Sequence, residues 1–108
     1  MNSASINFSE FKNKKYLITG GSTGIGAELA KAFAKQGAIV GLHYLSSVDA
    51  ANQVASEIRS EGGSVELIKA DASDSQALAV AVKEAAERLG GLNGLINNAG
   101  GMVRRVPY

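Results

Sequence analysis

Short aliphatic and β-branched runs alternate along this chain with longer stretches whose apolar residues recur at helical spacing. That alternation is the pattern of βαβ units and a parallel sheet. The runs from Tyr16 to Thr19, Ile39 to Tyr44, Ser64 to Ala70 and Leu92 to Asn97 read as strands, with three helices between them. In the first helix Ile25, Leu29, Ala32 and Phe33 form one apolar stripe, and Gly37 is its stop. In the second, Ala51, Val54, Ala55 and Ile58 form the stripe, Ser46 and Asp49 stand at capping-box spacing, and Gly62-Gly63 ends it. The third carries Leu78, Val82, Ala85 and Leu89, opens with Ser73 and Gln76 at capping-box spacing, and ends at Gly90-Gly91. Asn93-Gly94 is also a hairpin signature, but too few residues flank it to make two strands.

Right-handed crossovers place the first two helices on one face of the sheet and the third on the other, with spatial strand order 3-2-1-4. The expected fold is α/β, a doubly wound parallel sheet in partial form, β-α-β-α-β-α-β, a little more than half of the complete architecture. Its second face carries a single helix, and Leu95 and Ile96 lie on a strand whose outer edge is expected to be open. Uncovered apolar surface of that kind implies marginal stability or self-association.

The 108 residues are 45% apolar and 19% charged, the makeup of one soluble globular domain. Residues 1–13 form an N-terminal arm in which Phe8 and Phe11 can pack onto the body, and "KNKK" reads as a solvated turn. A net charge of +1 gives no bulk attraction to nucleic acid or to a membrane surface. The absence of cysteine excludes disulfide scaffolds, thiolate metal sites and cysteine nucleophiles. The one histidine, His43, cannot build a histidine metal site alone, so no metal is expected; it reads as a strand-end residue half covered by its neighbours rather than a cofactor ligand. A polar N-terminus whose lysines follow its apolar residues is no signal peptide, and no stretch approaches the roughly 20 apolar residues of a membrane span. A cytoplasmic location is expected.

Residues 19–26, "TGGSTGIG", join the first strand to the first helix. A strand, a glycine-rich turn and a helix N-terminus together make an anion site, because the first helical N–H groups lack intrahelical partners and the helix dipole favours negative charge there. Phosphate is the natural occupant. Gly20 lets the chain turn off the strand, Gly24 lets a pyrophosphate meet the backbone, and Gly26 lets the helix pack tightly; Ser22 and Thr23 add hydroxyl donors. A Walker-type loop is excluded, since no Lys-Ser or Lys-Thr follows the last glycine. The alternative is a turn that merely connects strand to helix.

With the preceding threonine, this spacing resembles the Thr-Gly-x-x-x-Gly-x-Gly fingerprint of the short-chain dehydrogenase/reductase family. "ADAS" at 70–73 looks like that family's acidic residue after the third strand, and "NNAG" at 97–100 is similar to its signature after the fourth. All three segments fall at strand C-termini, where open parallel sheets bind ligands. The resemblance runs from about Asn13 to Gly100 and implies a Rossmann-like NAD(P)-binding domain. It places Gly20, Ser22, Thr23, Gly24, Ile25 and Gly26 around the pyrophosphate and adjacent ribose, Ile25 acting through its backbone N–H. Asp71 would accept from the adenine amino group and Ala72 would lie beside the ring. Asn97, Ala99 and Gly100 would line the nicotinamide-side ribose, and Asn98 would tie the fourth strand to its neighbours. Helix capping or a solvated loop remains the alternative for Asp71, and turn formation for the asparagines.

An acidic residue ending the second strand would hold the 2′-hydroxyl of NAD and repel the 2′-phosphate of NADP. Tyr44 stands there instead, in "LHYLSS". Arg or Lys, common in NADP-preferring family members at the positions of Thr23 or Leu45, is absent too. Ser22, Ser46 and Ser47 could hydrogen-bond a phosphate. NADP is preferred over NAD on this count, with use of both open.

The family transfers hydride between nicotinamide and a carbonyl or alcohol, using a tyrosine whose pKa is lowered by a lysine four residues later, and a serine that polarises the carbonyl. Here Tyr16 is followed at that distance by Gly20, Tyr44 by Val48, and Tyr108 by nothing, so no catalytic residue is assigned. The expectation is an oxidoreductase's cofactor-binding N-terminal part, ending after the fourth strand and inactive alone, whose substrate would be a small carbonyl or alcohol. The alternatives are a non-catalytic dinucleotide-binding module and a vestigial chain that binds nothing well. Arg104 and Arg105 read as surface residues.

Overall fold

The computed structural model describes residues 11–22, 24–71 and 74–98, and the backbone of residues 102–104. The chain runs β1 (Lys15–Thr19), α1 (Gly24–Lys35), β2 (Ile39–Tyr44), α2 (Val48–Ser60), β3 (Ser64–Lys69), α3 (Ser75–Leu89), β4 (Gly94–Asn97) and β5 (Met102–Arg104). The sheet order is β3-β2-β1-β4-β5. β1 pairs in parallel with β2 and with β4, and β2 with β3, so the expected 3-2-1-4 core of a Rossmann-like fold is present.

The strands bury both faces, so adjacent residues serve opposite layers. Ile18, Val40, Leu42, Val65 and Ile96 pack under α1 and α2, whereas Leu17, Ile68 and Leu95 pack under α3. Helix α2 buries Ala51, Val54, Ala55 and Ile58, the stripe its sequence implies. Helix α3 buries Ala81, Val82, Ala85 and Leu89, with Leu78 partly covered.

Helix α1 departs from its expected stripe. It buries Gly26, Ala27, Ala30 and Ala34, while Ile25 is 72% exposed and Ala32 is exposed. The small side chains let the helix lie close against the strands, and interior packing rewards that fit over the apolarity of any one residue. Leu29 and Phe33 flank the core. Phe33 meets the rings of Phe11 at 5.5 Å and Tyr16 at 5.0 Å, both edge-on, which anchors the end of the N-terminal arm. Phe8 lies outside the described residues.

The element ends show further differences. Helix α2 begins after Ser47, whose side chain makes no capping bond, so Asp49 is the second helical residue and the Ser46–Asp49 box does not form. Helix α3 is capped by Asp74, whose carboxylate accepts from Ala77 N at 2.8 Å; Ser73 lies outside the described residues. Asn93 is no hairpin corner: its side chain accepts from Lys15 N at 2.8 Å and its own N–H donates to Lys15 O at 2.7 Å, which sets β4 beside β1. Of "KNKK", Lys12, Asn13 and Lys14 are exposed, while Lys15 opens β1 and reaches Gly90 O at 3.2 Å.

The outer edge of β4 is not open. β5 returns antiparallel along it, pairing Leu95 with Arg104, Ile96 with Val103 and Asn97 with Met102. A pattern search for buried strands overlooks three residues, yet so short a strand is enough to cover the edge. At the opposite edge, arginines from both layers reach β3: Arg59 of α2 donates to Val65 O at 3.0 Å, and Arg88 of α3 to Leu67 O at 2.6 Å and to Glu66 at 2.9 Å.

The two readings of α1 separate by mutation. Ala30→Leu is expected to destabilise the chain by about 1–3 kcal/mol through overpacking, and Ile25→Ala to stay within about 0.5 kcal/mol of the parent, both read as shifts of the urea midpoint.

Candidate functional site

Parallel strands joined by helices all point their C-termini to one edge, so the residues that follow β1, β3 and β4 gather there. Between β1 and α1 the chain passes through Gly20 at φ 61° and Gly24 at φ 56°, the left-handed region that side chains disfavour. A Cβ on Gly24 would meet nothing within 4 Å, so the space in front of the helix start is open. Gly26 has the opposite surroundings: a Cβ there would overlap the Gly20 carbonyl and stand 2.9 Å from Asn98 Nδ2. The first turn of α1 is therefore held against the strand ends, with one bare side toward solvent. It carries no acidic residue, so no side chain of that turn offsets the positive end of the helix dipole.

Hydrogen bonds lock the edge together. Thr19 Oγ1 donates to Asn97 Oδ1 at 2.8 Å, and Asn98 Nδ2 to Gly20 O at 3.3 Å, joining the ends of β1 and β4. On the other side Gly20 N–H donates to His43 Nδ1 at 3.0 Å and Gly21 N–H to His43 O at 2.9 Å. His43 Nε2 bonds Ala70 O, and Ala70 N–H donates to Tyr44 O at 3.1 Å, joining β2 to the end of β3. Asp71, the next residue, is exposed at this edge.

The expected site residues divide accordingly. Gly20, Ser22, Gly24, Ile25 and Gly26 form the turn and helix start, and Asn97 and Asp71 close the flanking strand ends. Tyr44 lies at the same end of β2, but it is only 9% exposed and packs in the core under α1 and α2. Just after β2, Leu45 is 57% exposed, and Ser46 and Ser47 are exposed. Thr23, Ala72, Ala99, Gly100 and Arg105 lie outside the described residues. His43, expected to be half covered, is 5% exposed and uses both ring nitrogens. The available signal is a lone polar residue inside the aliphatic run "IVGLHY".

A groove of about 950 Å³ runs beside the turn between α1 and α2, lined by Ser22, Gly24, Ile25, Leu29, Ala50 and Val54 among others. Farther along the same helices Lys31 is held charged, its pKa raised by hydrogen bonds to Glu28 and then Glu57. Among the described residues no three His, Cys, Asp or Glu side chains converge as a metal ion would require. Nor is any helix among them long and apolar enough to cross a membrane.

The family model for short chain dehydrogenase matches residues 14–107. An uncharacterized oxidoreductase of Methylorubrum extorquens is 39% identical over 92 residues, covering 85% of this chain and 37% of its own length. Among solved structures, a short-chain dehydrogenase/reductase from Serratia marcescens is 43% identical with TM-score 0.76, over 82% of this chain and 36% of that one. A short chain dehydrogenase from Burkholderia cenocepacia, solved in complex with NADP, is 41% identical with TM-score 0.72, over 79% and 35%. The chain thus spans little more than a third of the length of these relatives. With the glycine turn, the strand order and the strand-end asparagines in agreement, this chain belongs to the short-chain dehydrogenase family.

Proposed function

We propose that this chain is the NAD(P)-binding part of a short-chain oxidoreductase acting on a small carbonyl or alcohol. The observation that carries the reading is the start of α1: a bare, acid-free helix N-terminus, reached through left-handed Gly20 and Gly24, with open space where a side chain on Gly24 would stand. These features fit a pyrophosphate, which accepts from backbone N–H groups and needs room against the backbone. Ser22 and Ile25 line the same groove as Gly24, Ile25 being assigned through its N–H; Asp71 suits the adenine end, and Asn97 suits the ribose next to the nicotinamide; Thr23, Ala72, Ala99 and Gly100 are assigned to the same cofactor by their positions in the motifs. A bound nicotinamide supplies or accepts hydride. The chain's own residues hold and orient it.

No Tyr-x-x-x-Lys occurs in these 108 residues, so we assign the proton-transfer chemistry to none of them. We favour NADP over NAD because β2 ends without a carboxylate and offers Ser46 and Ser47 to solvent. The NADP-bound relative supports this choice. We further propose that the protein is cytoplasmic.

Reduced-nicotinamide fluorescence tests the site. NADPH is expected to bind with a Kd in the range of about 1 μM to 1 mM. Gly24→Val is expected to weaken binding about tenfold or more, because it combines left-handed strain of ~1–2 kcal/mol with a side chain in the ligand's space. Unchanged affinity in that variant, with an intact melting transition, would remove the turn from the site. Leu45→Arg, which places a cation at an exposed position ending β2, is expected to strengthen NADPH binding about tenfold and leave NADH within about twofold, in line with a charge-assisted phosphate contact.

A further inference from the structure

His43 is a buried imidazole that the dinucleotide reading leaves without a role. It stands on β2 opposite Ile68 of β3 and one residue past the last β1–β2 pair, Ile18 with Leu42. Its ring spans the gap, accepting from Gly20 N–H on one side and reaching Ala70 O on the other. An acceptor at Nδ1 and a carbonyl at Nε2 admit one neutral tautomer, with the proton on Nε2. The two backbone groups it engages are the first residue of the glycine turn and the residue preceding Asp71. Its own carbonyl takes the next N–H of the turn, from Gly21. One residue therefore satisfies the first two amides after β1.

Resting on the dinucleotide reading, we propose that His43 is a positioning residue that holds the phosphate-binding turn and the adenine end of the site in a fixed relation. It touches neither cofactor nor substrate. Its contribution is to bridge the end of β1 and the end of β3 across β2, just beyond the last β1–β2 pair.

Three variants separate the two ends of the ring. An asparagine side chain at this position is too short to reach Ala70, so His43→Asn keeps an acceptor only for Gly20 N–H; His43→Gln keeps a donor only for Ala70 O; His43→Leu keeps neither. With NADPH as the probe, His43→Leu is expected to bind about tenfold or more weakly, and the asparagine and glutamine variants to recover part of that loss, since each restores a buried hydrogen bond. Long-range proton–nitrogen NMR of the unliganded wild type is expected to show Nδ1 without a proton. Exchange of the Gly20 amide is expected to be slow in wild type and His43→Asn, and at least about tenfold faster in His43→Leu and His43→Gln. A folded His43→Leu that binds NADPH within about twofold of wild type would overturn the proposal. So would asparagine and glutamine variants no better than the leucine variant, which would make the ring a space-filler, or a proton found on Nδ1. A wild type that binds neither NADPH nor NADH would refute the dinucleotide reading itself, while the tautomer and the Gly20 exchange still decide whether the clamp exists.

Discussion

The approach of α1 to the strand that feeds it governs this structure. A helix can present its N-terminal amides to an anion at the sheet edge only if its first turn is pressed against the strand ends, and here Gly26 against the Gly20 carbonyl sets that distance. Other features follow from it. The buried face of α1 must be made of alanines, and larger residues such as Ile25 and Phe33 are turned aside. The strand ends must be fixed on both sides of the turn, by Thr19, Asn97 and Asn98 toward β4 and by His43 toward β2 and β3. The site is thus one end of a packing arrangement that begins in the core.

Most of the fold is legible in the sequence because its signals are periodic. The strands, the α2 and α3 stripes and the strand order all follow from the spacing of apolar residues and the handedness of crossovers. Where size matters more than apolarity, as in α1, the pattern misleads, since a stripe count ranks Ile25 above Gly26. The expected caps miss by one residue. Ser and Asp are near-equal N-caps, so a run such as Ser73-Asp74-Ser75 offers the helix several starts, and the chain takes the one at which Asp74 reaches Ala77. β5 escapes a sequence reading because three residues carry too little pattern to be seen without the strand they lie against.

The site is legible to a different degree. The glycine turn carries its geometry in its composition, so the left-handed turn residues and the close approach are readable in advance. Tyr44 shows the limit of reading exposure from position: it ends β2, yet its aromatic ring is drawn into the core beside two helices, and the exposed residues are those just after it. His43 shows the complementary limit. Its importance lies in two backbone partners far away in sequence, one on each side, which no local pattern displays.

The arginines that reach β3 give the sheet a second property. An edge strand ordinarily exposes a row of carbonyls on which another chain can continue the ladder. At this edge the Val65 and Leu67 carbonyls are already engaged, one by a guanidinium from each helical layer, and Glu66 and Lys69 place further charge alongside. A strand arriving from a second molecule would have to displace two hydrogen-bonded cations before forming its first rung. The exposed margin of the sheet is thereby kept from acting as a template for growth.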